Sequence, residues 1–239
     1  MANDDHIWSA SDVLAGAGAG LSREAAALER EQAVRGLDAL SEVQLHPLLA
    51  AGLRDAGLGV LREQPYPGIV KGPLKRSERS RCDLVLLPRA GLKLRDPVDE
   101  LVAADATAGT LFAGLHEPPP PDTLSSRDAY WLEVKSVGQH TYTGGVPGPN
   151  SSYSGEITRA YADDLAKLAQ EAHIVRGGLM VILFTADAAT ASHDLGIALA
   201  RAMDKGLPLR SPDTTQFEIA DRIGNRWCTV SLIEVSPVR

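Results

Sequence analysis

Leu179-Met180-Val181-Ile182-Leu183-Phe184-Thr185 is apolar up to its closing threonine, so a strand built from it has no polar face. Such a strand is stable where both faces of a sheet are covered, and helices supply that cover in α/β proteins. Helical patterns flank the run. Upstream, Ile157, Tyr161, Leu165 and Leu168 fall on one side of a helix that Gly177-Gly178 is expected to stop. Downstream, a helix is predicted over 190–205, ending at Gly206. A buried central strand between helices makes the chain α/β.

The remaining elements follow from local pattern. Ser22 to Leu37 is rich in good helix formers, and the preceding Gly16-Ala17-Gly18-Ala19-Gly20 reads as a flexible lead-in. A second helix is predicted from Ser41 to Ala56: Ser41 and Gln44 have capping-box spacing, and Leu45, Leu48, Leu49 and Leu53 make one apolar face. Pro47 cannot donate a backbone bond there, so the helix either starts near His46 or bends. Strands are expected at Val60 to Pro65, Arg81 to Leu87 and Tyr130 to Val137, with a Gly-, Ser- and Pro-rich loop from Gly138 to Gly155. Phe217 to Ile223 and Arg226 to Val235, joined by Gly224-Asn225, read as a C-terminal hairpin. The chain therefore divides into an N-terminal helical extension, 1–40, and one domain, 41–239, interrupted by an acidic Pro-rich insertion at about 89–128.

Composition limits the partners. With 239 residues and 44% apolar content, one folded domain with an insertion is expected. No apolar run approaches the roughly 18 residues of a membrane span. Two cysteines, Cys82 and Cys228, exclude a disulfide scaffold, and Met1 to His6 lacks a secretory pattern, so a cytoplasmic protein is expected. The net charge of −7 argues against nucleic acid until its distribution is considered. Asp96 to Asp128 holds seven acids against one base, a net −6, leaving only −1 for the rest of the chain. Arg62 to Arg81 holds six bases and two acids, a local +4 that suits phosphate contact, although a solvated loop has the same composition.

The chemistry-bearing residues are Asp83 and the Glu133-Val134-Lys135 triplet. In a strand, positions i and i+2 share a face, so Glu133 and Lys135 project together while Val134 enters the core. If the Asp83 strand lies alongside, two carboxylates and an ammonium meet among apolar neighbours, a costly arrangement unless they pair or bind a metal. Two carboxylates suit Mg²⁺, which completes its shell with water and substrate phosphate.

With Arg81-Cys82-Asp83-Leu84-Val85 as the acidic strand and Leu132-Glu133-Val134-Lys135-Ser136 as the E-x-K strand, the chain resembles the PD-(D/E)xK nuclease superfamily over roughly 41–185. The resemblance implies a restriction-endonuclease-like core: a central mixed β-sheet flanked by helices in αβββαβ order, here with a C-terminal β-hairpin. It implies a metal-dependent nuclease acting on DNA, double-stranded before single-stranded, with Mg²⁺ as cofactor and Mn²⁺ as substitute. Asp83 and Glu133 would be metal ligands, Lys135 the catalytic lysine, Glu42 the helix carboxylate serving a second metal or its waters, and Gln139 a further polar active-site residue. Lys71, Lys75, Arg76, Arg79 and Arg81 would flank the scissile phosphate, and the loop after Lys135 would carry His140 and Tyr142 toward nucleic acid. Cys82 replaces the proline of the superfamily name, and the Gln-x-x-x-Tyr of the helicase-linked exonuclease branch is missing after Lys135.

Other readings stay open: a catalytically inactive member of the same fold that binds DNA or protein, or an unrelated α/β domain with a structural charged triplet. A homodimer is compatible with either. Arg159, Asp163, Asp164 and Lys167 are expected on a solvated helix face, and His46, His140, His173 and His193 show no ligand spacing. The chain has no Gly-x-Ser-x-Gly elbow, P-loop or His-Glu-x-x-His motif. Because phosphate contacts are sequence-independent and salt-sensitive, neutralising Lys75, Arg76 and Arg79 together should weaken DNA binding for all sequences alike and flatten its salt dependence. Filter binding across a salt series checks this, and an unchanged affinity and slope would remove these bases from the DNA path.

Overall fold

A computed structural model describes residues 9–68, 80–95 and 120–236. The apolar run is central, as expected: β8 (Arg176–Thr185) pairs in parallel with β5 (Tyr130–Gly138) on one side and antiparallel with β10 (Trp227–Val235) on the other. β2 (Arg81–Leu87) and β1 (Gly59–Pro65) extend the sheet beyond β5, and β9 (Asp213–Glu218) closes the other edge, for the order β1-β2-β5-β8-β10-β9. Among the described strands of this sheet only the β5–β8 pair is parallel, which makes the sheet mixed.

Helices cover both faces. Val13, Leu14 and Leu21 of α1 (Ala10–Arg30) and Leu45, Leu49 and Leu53 of α2 (Glu42–Asp55) pack on Leu84, Leu132, Val134, Met180 and Ile182. On the other face, Leu165 and Leu168 of α3 (Tyr161–Gln170) and Ala191 and Leu195 of α4 (Ala188–Asp204) meet Val85, Trp131, Leu179 and Val181. A π-helical segment, Glu156–Ala160, leads into α3. The elements from α2 onward run α2-β1-β2-β5-α3-β8 apart from short strands and helical turns in the connections. No described helix is long and apolar enough to cross a membrane.

Four expectations change. The glycines at 16, 18 and 20 lie inside α1, whose cap is Ser9 accepting from the Asp12 amide, and the helix belongs to the core. Gly177-Gly178 lies within β8; α3 ends earlier, at Gln170. The loop after Lys135 contains a hairpin, β6 (His140–Thr143) with β7 (Val146–Pro149). The C-terminal hairpin is antiparallel but opens at Glu218–Trp227, so Gly224-Asn225 sits in a longer connection. Asn225 is fully buried there and serves as a polar hub, bonding the His140 backbone and the Asp38 carboxylate at 2.9–3.1 Å.

α2 runs through Pro47 because Pro47 and Val43, whose carbonyl loses its bond, are both exposed to water. Gln44 reaches back to the Ser41 amide at 2.9 Å, and the expected capping box is present. The insertion leaves and returns through one parallel bridge, β3 (Lys93–Leu94) with β4 (Thr123–Leu124), secured by a Lys93–Asp122 ion pair at 2.8 Å. Most of its acidic stretch lies outside the described residues.

The glycines of α1 are explained by what they touch. A Cβ at Gly52 of α2 would stand 2.1 Å from the Gly16 carbonyl oxygen, and one at Gly20 would stand 2.3 Å from that of Leu48. The two helices therefore pack backbone to backbone, which offsets the cost of about 1 kcal/mol per helical glycine. Gly52→Ala should destabilise the protein by about 2 kcal/mol or more, in the range of overpacking. Gly196→Ala, in the exposed part of α4 where a Cβ meets nothing within 4 Å, should stabilise it by about 0.5–1 kcal/mol. Urea unfolding of both variants measures the contrast, and equal shifts would refute the close-packing account.

Candidate active site

β2 and β5 pair from Leu86–Tyr130 to Leu84–Leu132 and then part. Beyond that point the Val134 and Ser136 amides, two residues apart on the same strand, leave β5 in one direction. Carboxylates replace the missing strand: Asp83 accepts from the Val134 amide at 2.8 Å, and Glu42, in the first turn of α2, accepts from the Ser136 amide at 3.1 Å. β1 distorts at the same level. Glu63, between the register pairs Arg62–Leu84 and Gln64–Cys82, has a φ of 52°, a left-handed conformation costing of order 1–3 kcal/mol in a residue with a side chain.

Continuing the register sets Asp83 opposite Glu133, and their carboxyl groups are within hydrogen-bonding reach. Glu133 is 5% exposed, and its Oε1 accepts a close hydrogen bond from the Tyr66 hydroxyl. The Tyr66 ring stacks on Trp131 with centroids 6.0 Å apart. Burial pushes the Glu133 carboxyl up to about 8; the Tyr66 bond opposes this, the Asp83 charge and hydrogen bond add to it, and Lys167 opposes it. At neutral pH the two facing carboxyls accordingly retain a proton.

Lys135 shares the sheet face of Glu133. Its ammonium stands 3.5 Å from Glu42 Oε1 and 3.4 Å from Asp164 Oδ2. Burial alone would lower its pKa, but the Glu42 and Asp164 carboxylates outweigh that and raise it, keeping the lysine charged. Asp164 is buried and also pairs with Lys167 at 2.8 Å. The expectation of a solvated face is therefore corrected for Asp164, which α3 delivers to the site, whereas Lys167 beside it is exposed as expected. The signal was in the sequence, because position 164 falls on the stripe of Tyr161, Leu165 and Leu168.

A second correction concerns His46. It lies one helical turn after Glu42 and is 1% exposed, and donor atoms of Glu42, His46 and Asp83 all lie within 4.8 Å of one another. The i, i+4 spacing of Glu42 and His46 was readable; the contribution of Asp83 from a distant strand was not.

The other sequence-derived candidates lie elsewhere or do other work. Gln139 uses its side-chain oxygen to accept from the Ala186 amide at 2.9 Å, tying the end of β5 to the end of β8. His140 packs on Gly224 and bonds Asn225, and Tyr142 lies under the Arg35 guanidinium at 5.2 Å, so both brace the β6–β7 hairpin. Arg81 is exposed and donates to the Glu63 carbonyl at 2.8 Å. Lys71, Lys75, Arg76 and Arg79 lie outside the described residues. Comparisons with protein-family models, curated proteins and solved structures find no match.

Glu133 sets a pH dependence. The folded state holds its proton up to about 8, whereas the unfolded chain releases it near the ordinary 4.5. The resulting stabilisation is complete below the unfolded value and is lost as pH rises through about 8. In EDTA, the thermal midpoint should fall between pH 6 and 9, and Glu133→Gln should flatten that slope. Calorimetry across the range measures it, and a wild-type slope retained in the variant would assign the effect to another group.

Proposed function

We propose that the protein is a metal-dependent nuclease that hydrolyses phosphodiester bonds in DNA, built on a restriction-endonuclease-like core. What supports this reading is the placement of Asp83 opposite Glu133 on neighbouring strands, with Lys135, held charged between Glu42 and Asp164, two residues further along the same sheet face. The α2-β1-β2-β5-α3-β8 order supports the core assignment. The donor set fits a divalent cation, since oxygen atoms of Glu42 and Asp83 already converge and Glu133 adjoins Asp83. Asp83, Glu133 and Glu42 are the residues that would hold it. When bound, such an ion supplies Lewis-acid stabilisation of phosphate charge and a more acidic water.

The chain's own groups divide the remaining work. Lys135, held charged between Glu42 and Asp164, offers a fixed positive charge to a phosphate oxygen or orients the attacking water. Asp164 positions that ammonium. Tyr66 and Trp131 wall off Glu133 from water. Arg81 lies at the start of β2, two residues from Asp83, where its charge favours approach of the DNA backbone.

Incubating the purified protein with plasmid, linear and single-stranded DNA plus Mg²⁺ or Mn²⁺ should produce cleavage that EDTA abolishes. Lys135→Ala should reduce the rate by at least about 10²-fold while leaving most DNA affinity intact. Binding without cutting in every metal would make the protein a non-catalytic DNA-binding module instead.

A further inference from the structure

His46 departs from an ordinary buried histidine. It is 1% exposed, and neither ring nitrogen has a hydrogen-bond partner among the described residues. Its nearest charged contact is long, 3.9 Å from Nδ1 to Glu63 Oε1. Each unpaired buried polar atom costs about 1–3 kcal/mol, so a chain that only needed to fill this position gains by placing an apolar residue there. The ring is aimed at oxygen: one of its nitrogens lies within 4.8 Å of carboxylate oxygens of both Glu42 and Asp83.

Those three donors are arranged for one ion. Glu42 and His46 project from successive turns of α2, and Asp83 enters from β2 with its other bond made to the Val134 amide. Ligands at about 2.1 Å on opposite sides of a cation are about 4.2 Å apart, so a small inward adjustment brings all three into coordination. An imidazole nitrogen also discriminates between ions. Mg²⁺ favours oxygen donors and keeps its waters, whereas first-row transition metals accept nitrogen readily. Glu63 adds a carboxylate near the ring, the kind of neighbour that orients metal-bound histidines.

We propose that Glu42, His46 and Asp83 form a mixed carboxylate–imidazole site for a divalent transition-metal cation, which it binds in preference to Mg²⁺. The inference rests on the nuclease reading only for its catalytic consequence, because binding is measurable without DNA. His46 then sets which metal loads the site, and Asp83 is the ligand shared with the Glu133–Lys135 side of the cleft.

Mn²⁺ is the probe, because its electron spin reports directly bonded nitrogen. The full-length wild-type protein should bind Mn²⁺ about tenfold or more tighter than Mg²⁺ in calorimetric competition. Pulsed electron paramagnetic resonance should show ¹⁴N coupling on the bound ion. His46→Gln should abolish that coupling and reduce the Mn²⁺ preference to within about threefold. Bound Mn²⁺ without ¹⁴N coupling, coupling that survives in His46→Gln, or no Mn²⁺ binding would each overturn the proposal. If His46→Gln does not fold by circular dichroism, Glu42→Gln decides: Mn²⁺ affinity should drop about tenfold with the ¹⁴N coupling retained, and an unchanged affinity overturns the site. Nitrogen-coupled Mn²⁺ in a protein that cuts no DNA would sink the nuclease reading alone, whereas cutting with Mg²⁺ and no nitrogen coupling would sink this inference alone.

Discussion

Backbone amides of a buried strand must find acceptors, and the parting of β2 from β5 beyond Leu84–Leu132 leaves those of Val134 and Ser136 without a partner strand. Asp83 and Glu42 meet that demand with carboxylates. The backbone thereby fixes two acids at the mouth of the sheet. Glu133 keeps its proton chiefly because it is buried, with the Asp83 charge adding to the effect, and Lys135 settles between Glu42 and Asp164. The left-handed Glu63 on β1 lies at the same level, so distortion gathers where the sheet opens.

Polar burial on this scale is unfavourable one residue at a time and tolerable only as a set. Removing Asp164 would leave Lys135 with a single carboxylate, and removing Tyr66 would leave Glu133 Oε1 without its hydroxyl donor. Each loss leaves a partly or wholly desolvated polar group without its partner, which costs more than the same change at an exposed surface. The apolar layers on either side make the set possible: α1 and α2 seal one face, α3 and α4 the other.

The sequence made the central strand, the strands carrying Asp83 and Glu133, and the helix after Ser41 legible, because each is a local pattern of apolar spacing or capping. The shared face of Glu133 and Lys135 also followed from strand periodicity. Partners brought by distant elements were not legible. Nothing local says that the glycines of α1 match Gly52, that Asn225 closes on His140, or that Gln139 serves Ala186. Asp164 and His46 form an intermediate case. Both sit on apolar helical stripes, and a charged or imidazole group on such a stripe was itself the sign that something polar waits on the far side.

The β3–β4 bridge bears on how the chain can vary in length. The insertion departs after Leu94 and returns at Thr123, so both ends are fastened before the strand of Glu133 begins. Doubling a loop closed in this way adds only about 0.6 kcal/mol of closure entropy. Length can therefore drift between those anchors without moving the register of β5 against β2. A lineage could lengthen, shorten or replace that excursion while the acids at the sheet mouth stay in place, which separates the part of the gene free to diverge from the part that is not.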